Sequence, residues 1–395
     1  MIDSSLIQKN KNTSCNDYQN YQPDTLHVNY SIMRYIRINF HIMRRSDGTG
    51  SFTEADGKSF VINLMNKANE KLRNNEKMNL PLGNTTAVLP VLYQYVLTPD
   101  SAIAGDDGIY FDDDDSTCFL NKKSLGNNVM SPKAYNKYGV QKGKVLNVFL
   151  VEHMPDSILS STYKASADGV GMGEWVKIAG CYNISHTLNI LPSGDTIFNG
   201  WWTFTGLLNH EIGHCLGINH TWNANDACYD TPMNPGCWNY TSSGPCKDQV
   251  SNNVMDYNAS QGAFTPCQIG RIQYNFTQPG SVQRNFCRPD WCVYHADSTV
   301  IIYNGDSIVW AGAKDFEGDI IINNNAVLVV KCRLSLTEGA KIIVYPKATL
   351  IVDGGMITNT CGKKWLGIEI KETKENKGKV VMVNDGKIEN ALNSL

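Results

Sequence analysis

Apolar and polar residues alternate from Tyr35 to Ile42 (YIRINFHI), the period-two pattern of a half-buried strand. The spacing then changes. Phe60, Val61, Leu64, Ala68 and Leu72 fall on one helical face and predict a helix from Lys58 to about Asn74. Residues 88–97 (VLPVLYQYVL) and 145–151 (VLNVFLV) read as strands, and residues 174–179 as another. A strand, a helix and then several strands predict an α+β domain, a mixed sheet with a helix packed on it.

From about Gly280 the helical period ends, and short β-rich runs alternate with Asn and Gly turns. Ala326-Val-Leu-Val-Val recurs 22 residues later as Ala348-Thr-Leu-Ile-Val, with Ala340-Lys-Ile-Ile-Val between them. Small and branched residues in register at that repeat length predict a β-solenoid of stacked coils, with a β-sandwich as the alternative. The pattern runs on through Val380-Val-Met-Val and Gly386-Lys-Ile-Glu to Leu395 without a polar cap. Such an end leaves an edge open, so the natural chain is expected to continue or its last coils to be irregular. Residues 1–31 are polar and read as an extended arm or pro-segment remnant. The expected organisation is therefore an arm (1–31), an α+β domain (32–280) and an all-β segment (281–395).

The composition, 42% hydrophobic and 10% aromatic, supplies real cores and excludes global disorder. A net charge of -3 leaves no electrostatic footprint for nucleic acid. The acidic run Asp106, Asp107 and Asp112 to Asp115 reads as a solvated loop, with a cation site as the other reading. Most of the twelve cysteines lie between Cys118 and Cys292, which predicts disulfides and an oxidising compartment. The first thirty residues hold no apolar leader, and no later run is long enough for a membrane helix. A secreted, soluble protein given without its leader is the expectation.

The chemistry concentrates in residues 205–220, TGLLNHEIGHCLGINH. His210 and His214 are four apart, so on a helix both imidazoles point at one metal ion, with Glu211 beside the first. A catalytic zinc takes three protein ligands and leaves a fourth position open. Gly217 lets the helix stop and turn, which brings His220 to the same ion from another direction. A bare HExxH recurs by chance in unrelated proteins; Gly217 and His220 make this one specific. Cys215 lies on another face of the helix and reads as a buried thiol or disulfide partner. His41 and His186 lack a ligand partner at close spacing and read as structural or surface residues. Cys15 reads as a disulfide partner, or as a pro-segment thiol that caps the zinc.

Ser251-Asn-Asn-Val-Met255-Asp-Tyr257 follows the third histidine. With the extended motif it is similar to the metzincin peptidases, whose methionine turn forms an apolar floor under the three histidines. Tyr257 is placed either to stabilise charge on a substrate oxygen or to serve as a buried aromatic. Thr221, Asp230-Thr231-Pro232 and Asn252-Asn-Val-Met-Asp-Tyr257 together resemble the pappalysin branch, including its bacterial secreted members. The resemblance covers roughly residues 33–280. It implies zinc on His210, His214 and His220, with Glu211 as general base of a Glu-assisted zinc–water hydrolysis of protein or peptide substrates. It also implies disulfides and structural calcium (Ca2+) before the methionine turn. The pairing expected there is Cys246–Cys267 and Cys228–Cys237, while residues 222–250 offer calcium only the scattered acids Asp226, Asp230 and Asp248. The competing reading is a β-solenoid adhesin or binding protein with an inactive metzincin domain. In either case the C-terminal segment is expected to meet a surface or glycan partner, or to space domains.

Overall fold

The structure, a computed structural model, describes residues 15–120, 130–158, 168–186, 188–190, 196–222 and 226–393. The chain divides into two compact units, Met33–Arg288 and a unit that joins Met1–Ile32 to Pro289–Leu395. Among the described residues no helix is long and apolar enough to cross a membrane.

In the Met33–Arg288 unit seven strands form one sheet. They are β1 (Arg34–Arg44), β2 (Tyr93–Leu97), β3 (Ile109–Asp113), β4 (Phe119–Leu120), β5 (Leu146–His153), β6 (Asp168–Met172) and β7 (Trp175–Ala179). The order is β2-β1-β5-β7-β6, with β3 also on β1 and β4 on β5. The ladders are parallel except the last, where β6 runs antiparallel to β7. Helix α1 (Glu54–Arg73) starts at Thr53, whose hydroxyl accepts from the Asp56 amide, and it buries the predicted Phe60, Val61, Leu64, Ala68 and Leu72. Gly57 sets how closely α1 lies on the sheet: a Cβ there would stand 2.5 Å from Ile42 Cδ1. Helices α2 (Thr205–Cys215) and α3 (Pro266–Thr277) follow, α3 opening with a reciprocal Thr265–Gln268 capping box.

The acidic run divides: Asp107 and Asp115 are exposed outside the strands, as a solvated loop would have them, while Asp112, Asp113 and Asp114 are held by basic partners. Asp112 and Asp113 lie on β3. The buried His41 imidazole pairs with Asp112 at 2.8 Å, and Arg44 Nε donates to Asp113 at 2.7 Å. Asp114 accepts from Lys137 at 2.9 Å, and Asp107 pairs with Lys58 at 2.6 Å. Local charge density pointed to solvent because the basic partners of Asp112 and Asp113 sit on β1, far away in sequence.

Among the described residues every ladder between the strands of the second unit is parallel. Val300–Ile302, Ile320–Ile322, Lys341–Val344, Trp365–Ile370 and Ala391–Asn393 pair side by side in one sheet. A second sheet holds Ser307–Trp310, Val327–Val330, Thr349–Asp353 and Lys379–Val383; a third holds Lys314–Phe316, Arg333–Leu336, Met356–Thr358 and Lys387–Ile388. The sequence repeat is the pairing register: Leu328 stands opposite Leu350, Val330 opposite Val352, and Ile320 opposite Ile342. Alternate residues of each strand point inward, so Ile322, Leu328, Val330, Leu334, Ile342, Leu350 and Val352 share one core.

Two boundaries differ from the expectation. Residues 15–31 are no separate extended arm: Tyr21 and Tyr30 are buried, the Tyr30 hydroxyl donates to Ile301 O at 3.0 Å, and Cys15 forms a disulfide with Cys332. Residues 1–14 of that arm lie outside the described residues. The other division falls after Arg288 rather than at 280. A polar composition concealed these anchors, because their partners lie hundreds of residues downstream. Cys15 is thus accounted for as a disulfide partner, and a second bridge, Cys292–Cys361, ties the same unit.

Leu350 is fully buried in this core. Replacing it with Ala is expected to cost about 2–5 kcal/mol, read as a lower denaturant midpoint in urea unfolding followed by far-UV circular dichroism.

Candidate metal centre

Helix α2 places His210 and His214 one turn apart, while Leu208, Ile212 and Cys215 are buried around them. Gly217 ends the helix with φ +91. Its amide donates to His214 O at 3.0 Å and the Ile218 amide to Gly213 O at 3.0 Å, the paired bonds of a Schellman motif. Glycine is required there twice over, since a Cβ would also stand 2.6 Å from Asn275 Nδ2. The exit turn returns His220 to the helix. His220 Nε2 lies 3.1 Å from His210 Nε2 and 2.9 Å from His214 Nε2.

The remaining ring nitrogens fix the donor set. His210 Nδ1 donates to Val254 O at 2.7 Å and His214 Nδ1 to Ile218 O at 2.8 Å, so each Nε2 presents a lone pair to the centre. Burial, followed by the neighbouring imidazole, pushes His210 down to about 3 and His220 down to about 4. Burial also lowers His214. Neutral imidazoles with converging lone pairs are the form that binds a cation. A tetrahedral zinc with Zn–N near 2.0–2.1 Å spaces its nitrogens about 3.3 Å apart, close to the separations found. The residues present fit such an ion.

Glu211 is buried beside the triad, and the loss of solvent pushes its carboxyl up to about 8, opposed by the Gly171 backbone. Met255 is fully buried under α2, where a Cβ on Gly213 would stand 2.4 Å from its Sδ. Its turn is braced: the Met255 amide donates to Asn253 Oδ1 at 2.8 Å, and Asn253 exchanges two side-chain bonds with Gln268 at 2.8 and 3.0 Å. Because Val254 supplies the carbonyl that orients His210, the turn both floors the triad and holds one of its imidazoles in place. Tyr257 is half-exposed, its ring centroid 5.3 Å from that of His220.

Two neighbours went unread in the sequence. Trp222 stacks on His220 at 3.8 Å between centroids and lies 4.2 Å from Tyr257. An aromatic two residues past the third histidine was a usable signal. Gln261, from a loop with no motif to mark it, lies against His210 and donates its Nε2 to Asp256 O at 3.3 Å.

The disulfides differ from the expected pairing. Cys228 bonds Cys267, and Cys237 bonds Cys246. The nine-residue separation of Cys237 and Cys246 closes on itself through the Thr241 amide and Cys246 O. Cys267 opens α3 beside Cys228, with Asp230 accepting from the Cys267 amide at 3.0 Å. Nearest-in-sequence pairing failed because α3 carries Cys267 back to the start of the loop. Cys215 is a buried free thiol. Of the acids expected near calcium, Asp226 accepts from the Cys228 amide at 3.0 Å and Asp230 from Cys267.

Residues 156–281 match the model of the metallo-peptidase family M12B, reprolysin-like. That match supports a metallopeptidase domain. It spans β6, β7, the whole His210–His220 centre and the Met255 turn. Two solved structures are also similar to the chain. One is mature mirolysin of Tannerella forsythia in complex with a cleaved peptide, at 17% identity and TM-score 0.42, covering 65% of this chain and 96% of that one. The other is mirolysin in complex with compound 9, at 18% identity and TM-score 0.41 with the same coverage of 65% and 96%. No curated protein sequence matches the chain.

The floor under the histidine triad is open to test. Met255→Ala is expected to cost about 2–5 kcal/mol of stability, whereas Met255→Leu, which conserves volume, should cost less than about 1.5 kcal/mol. Urea unfolding of the two variants beside wild type measures both.

Proposed function

We propose that the protein is a secreted zinc-dependent endopeptidase, with zinc held by His210, His214 and His220. The observation that carries this reading is the convergence of three Nε2 atoms beside a buried carboxyl group. Bound zinc supplies Lewis-acid polarisation of a peptide carbonyl and makes water at the site more acidic. Glu211 takes the proton of the attacking water and passes it to the leaving amine nitrogen, a general base and then a general acid. Tyr257, on the open side of the triad, donates its hydroxyl to the carbonyl oxygen as charge gathers there. No serine or cysteine nucleophile takes part, so no covalent intermediate forms. Met255 and Gly217 hold the ligand frame.

Thr221, Asp230-Thr231-Pro232 and the Asn252–Tyr257 turn favour the pappalysin branch of the metzincins. Disulfides in both units favour an extracellular setting. We read the second unit as a β-solenoid, supported by its every-third-strand parallel pairing, and assign it to binding a surface or glycan partner rather than to catalysis.

Purified protein should carry one zinc per chain by elemental analysis and cleave casein or gelatin. His220→Ala should lose the metal. Glu211→Ala should keep it while kcat/KM falls by about 10²–10⁴-fold; cleavage at the wild-type rate by that variant would sink the peptidase reading. Tyr257→Phe tests the auxiliary role separately: kcat should fall about tenfold or more at nearly constant KM, and an unchanged kcat would reduce Tyr257 to a packing residue.

A further inference from the structure

Strand β6 reads Asp168-Gly-Val-Gly-Met172 and lies at the end of the sheet path, paired on one side with β7. Residues 169 and 171 share one face of the strand because the side-chain period is two. Val170, between them, packs with the core around Met43, Phe149, Val151 and Trp175. The glycine face meets α2. A Cβ on Gly169 would stand 2.6 Å from Glu211 Oε1, 2.7 Å from its Cγ and 2.9 Å from its Cδ. A Cβ on Gly171 would stand 2.0 Å from the Glu211 carbonyl oxygen and 3.1 Å from His214 Cβ. Neither glycine lies in the left-handed region, so what the site demands is space rather than an unusual backbone. The Gly171 backbone also opposes the upward shift that burial gives the Glu211 carboxyl.

We infer that Gly169 and Gly171 are positioning residues for Glu211: the two missing side chains let β6 close on α2, and the Gly171 amide then orients the carboxylate. The inference rests on the peptidase reading above, in which Glu211 is the general base. The strand is a firm reference for this purpose. Its antiparallel register sets Gly169 opposite Ile178 and Gly171 opposite Val176, both fully buried residues of β7. The sheet therefore fixes the amide, and the amide fixes the carboxylate. At Gly169 the obstacle to a methyl group is the movable end of a side chain, so Ala there displaces the carboxylate. At Gly171 the obstacle is backbone, so any side chain separates strand from helix.

Gly169→Ala tests this directly. A carboxylate misplaced by about an ångström costs on the order of 10²-fold in rate, so kcat should fall by about that factor, with KM within about twofold and zinc content unchanged. Combined with Glu211→Ala, which removes the Cγ, Cδ and Oε1 atoms the methyl meets, Gly169→Ala should cost far less stability in urea unfolding than it does alone. An equal cost in both backgrounds, or an unchanged kcat in the folded, zinc-loaded Gly169→Ala protein, overturns the inference. A second readout needs neither activity nor a strand variant. Hydrogen exchange at the Gly171 amide should be slow in wild type and at least about tenfold faster in Glu211→Ala; equal exchange in the two proteins overturns the inference. If wild type cleaves nothing, the peptidase reading fails, and the exchange experiment still decides whether Gly171 holds Glu211.

Discussion

Three imidazole nitrogens that each present a lone pair repel one another when brought within about 3 Å in a buried site. Only a cation between them turns that repulsion into binding. His210 and His214 are committed to this geometry by carbonyl acceptors on Val254 and Ile218, which hold their Nδ1 protons away from the centre. Much of the Met33–Arg288 unit can be understood as support for that arrangement. The Schellman turn at Gly217 brings His220 round; the Asn253–Gln268 pair holds the methionine turn; that turn supplies both the floor and the Val254 carbonyl.

Glu211 needs different support. A carboxylate serving as a base must be near water yet held in place, and burial alone disfavours its charged form. The open glycine face of β6 answers this by admitting the carboxylate to the strand backbone without any intervening side chain. On the other side, Trp222 and Tyr257 form an aromatic wall against His220. One flank of the centre is thus backbone and the other is aromatic.

The parts legible in the sequence were those governed by short spacings. Helix α1, strands β1 and β5, the HExxH turn and the repeat of the second unit all announce themselves within a window of a few residues. Interactions closed over long separations were hidden. Asp112 and Asp113 are partnered by β1, Cys15 by Cys332, and the glycines of β6 by a helix some forty residues later; in none of these does the local pattern name the partner. The disulfide pairing failed for the same reason, since α3 returns Cys267 to Cys228 past two nearer cysteines.

The claim on which the rest depends is that the triad is a cation site. Calorimetric titration of chelator-stripped protein with Zn2+ tests it most directly. The account predicts a single tight site per chain, with proteolytic activity returning in step with occupancy. Absence of stoichiometric binding, or activity that survives complete removal of the metal, would contradict it.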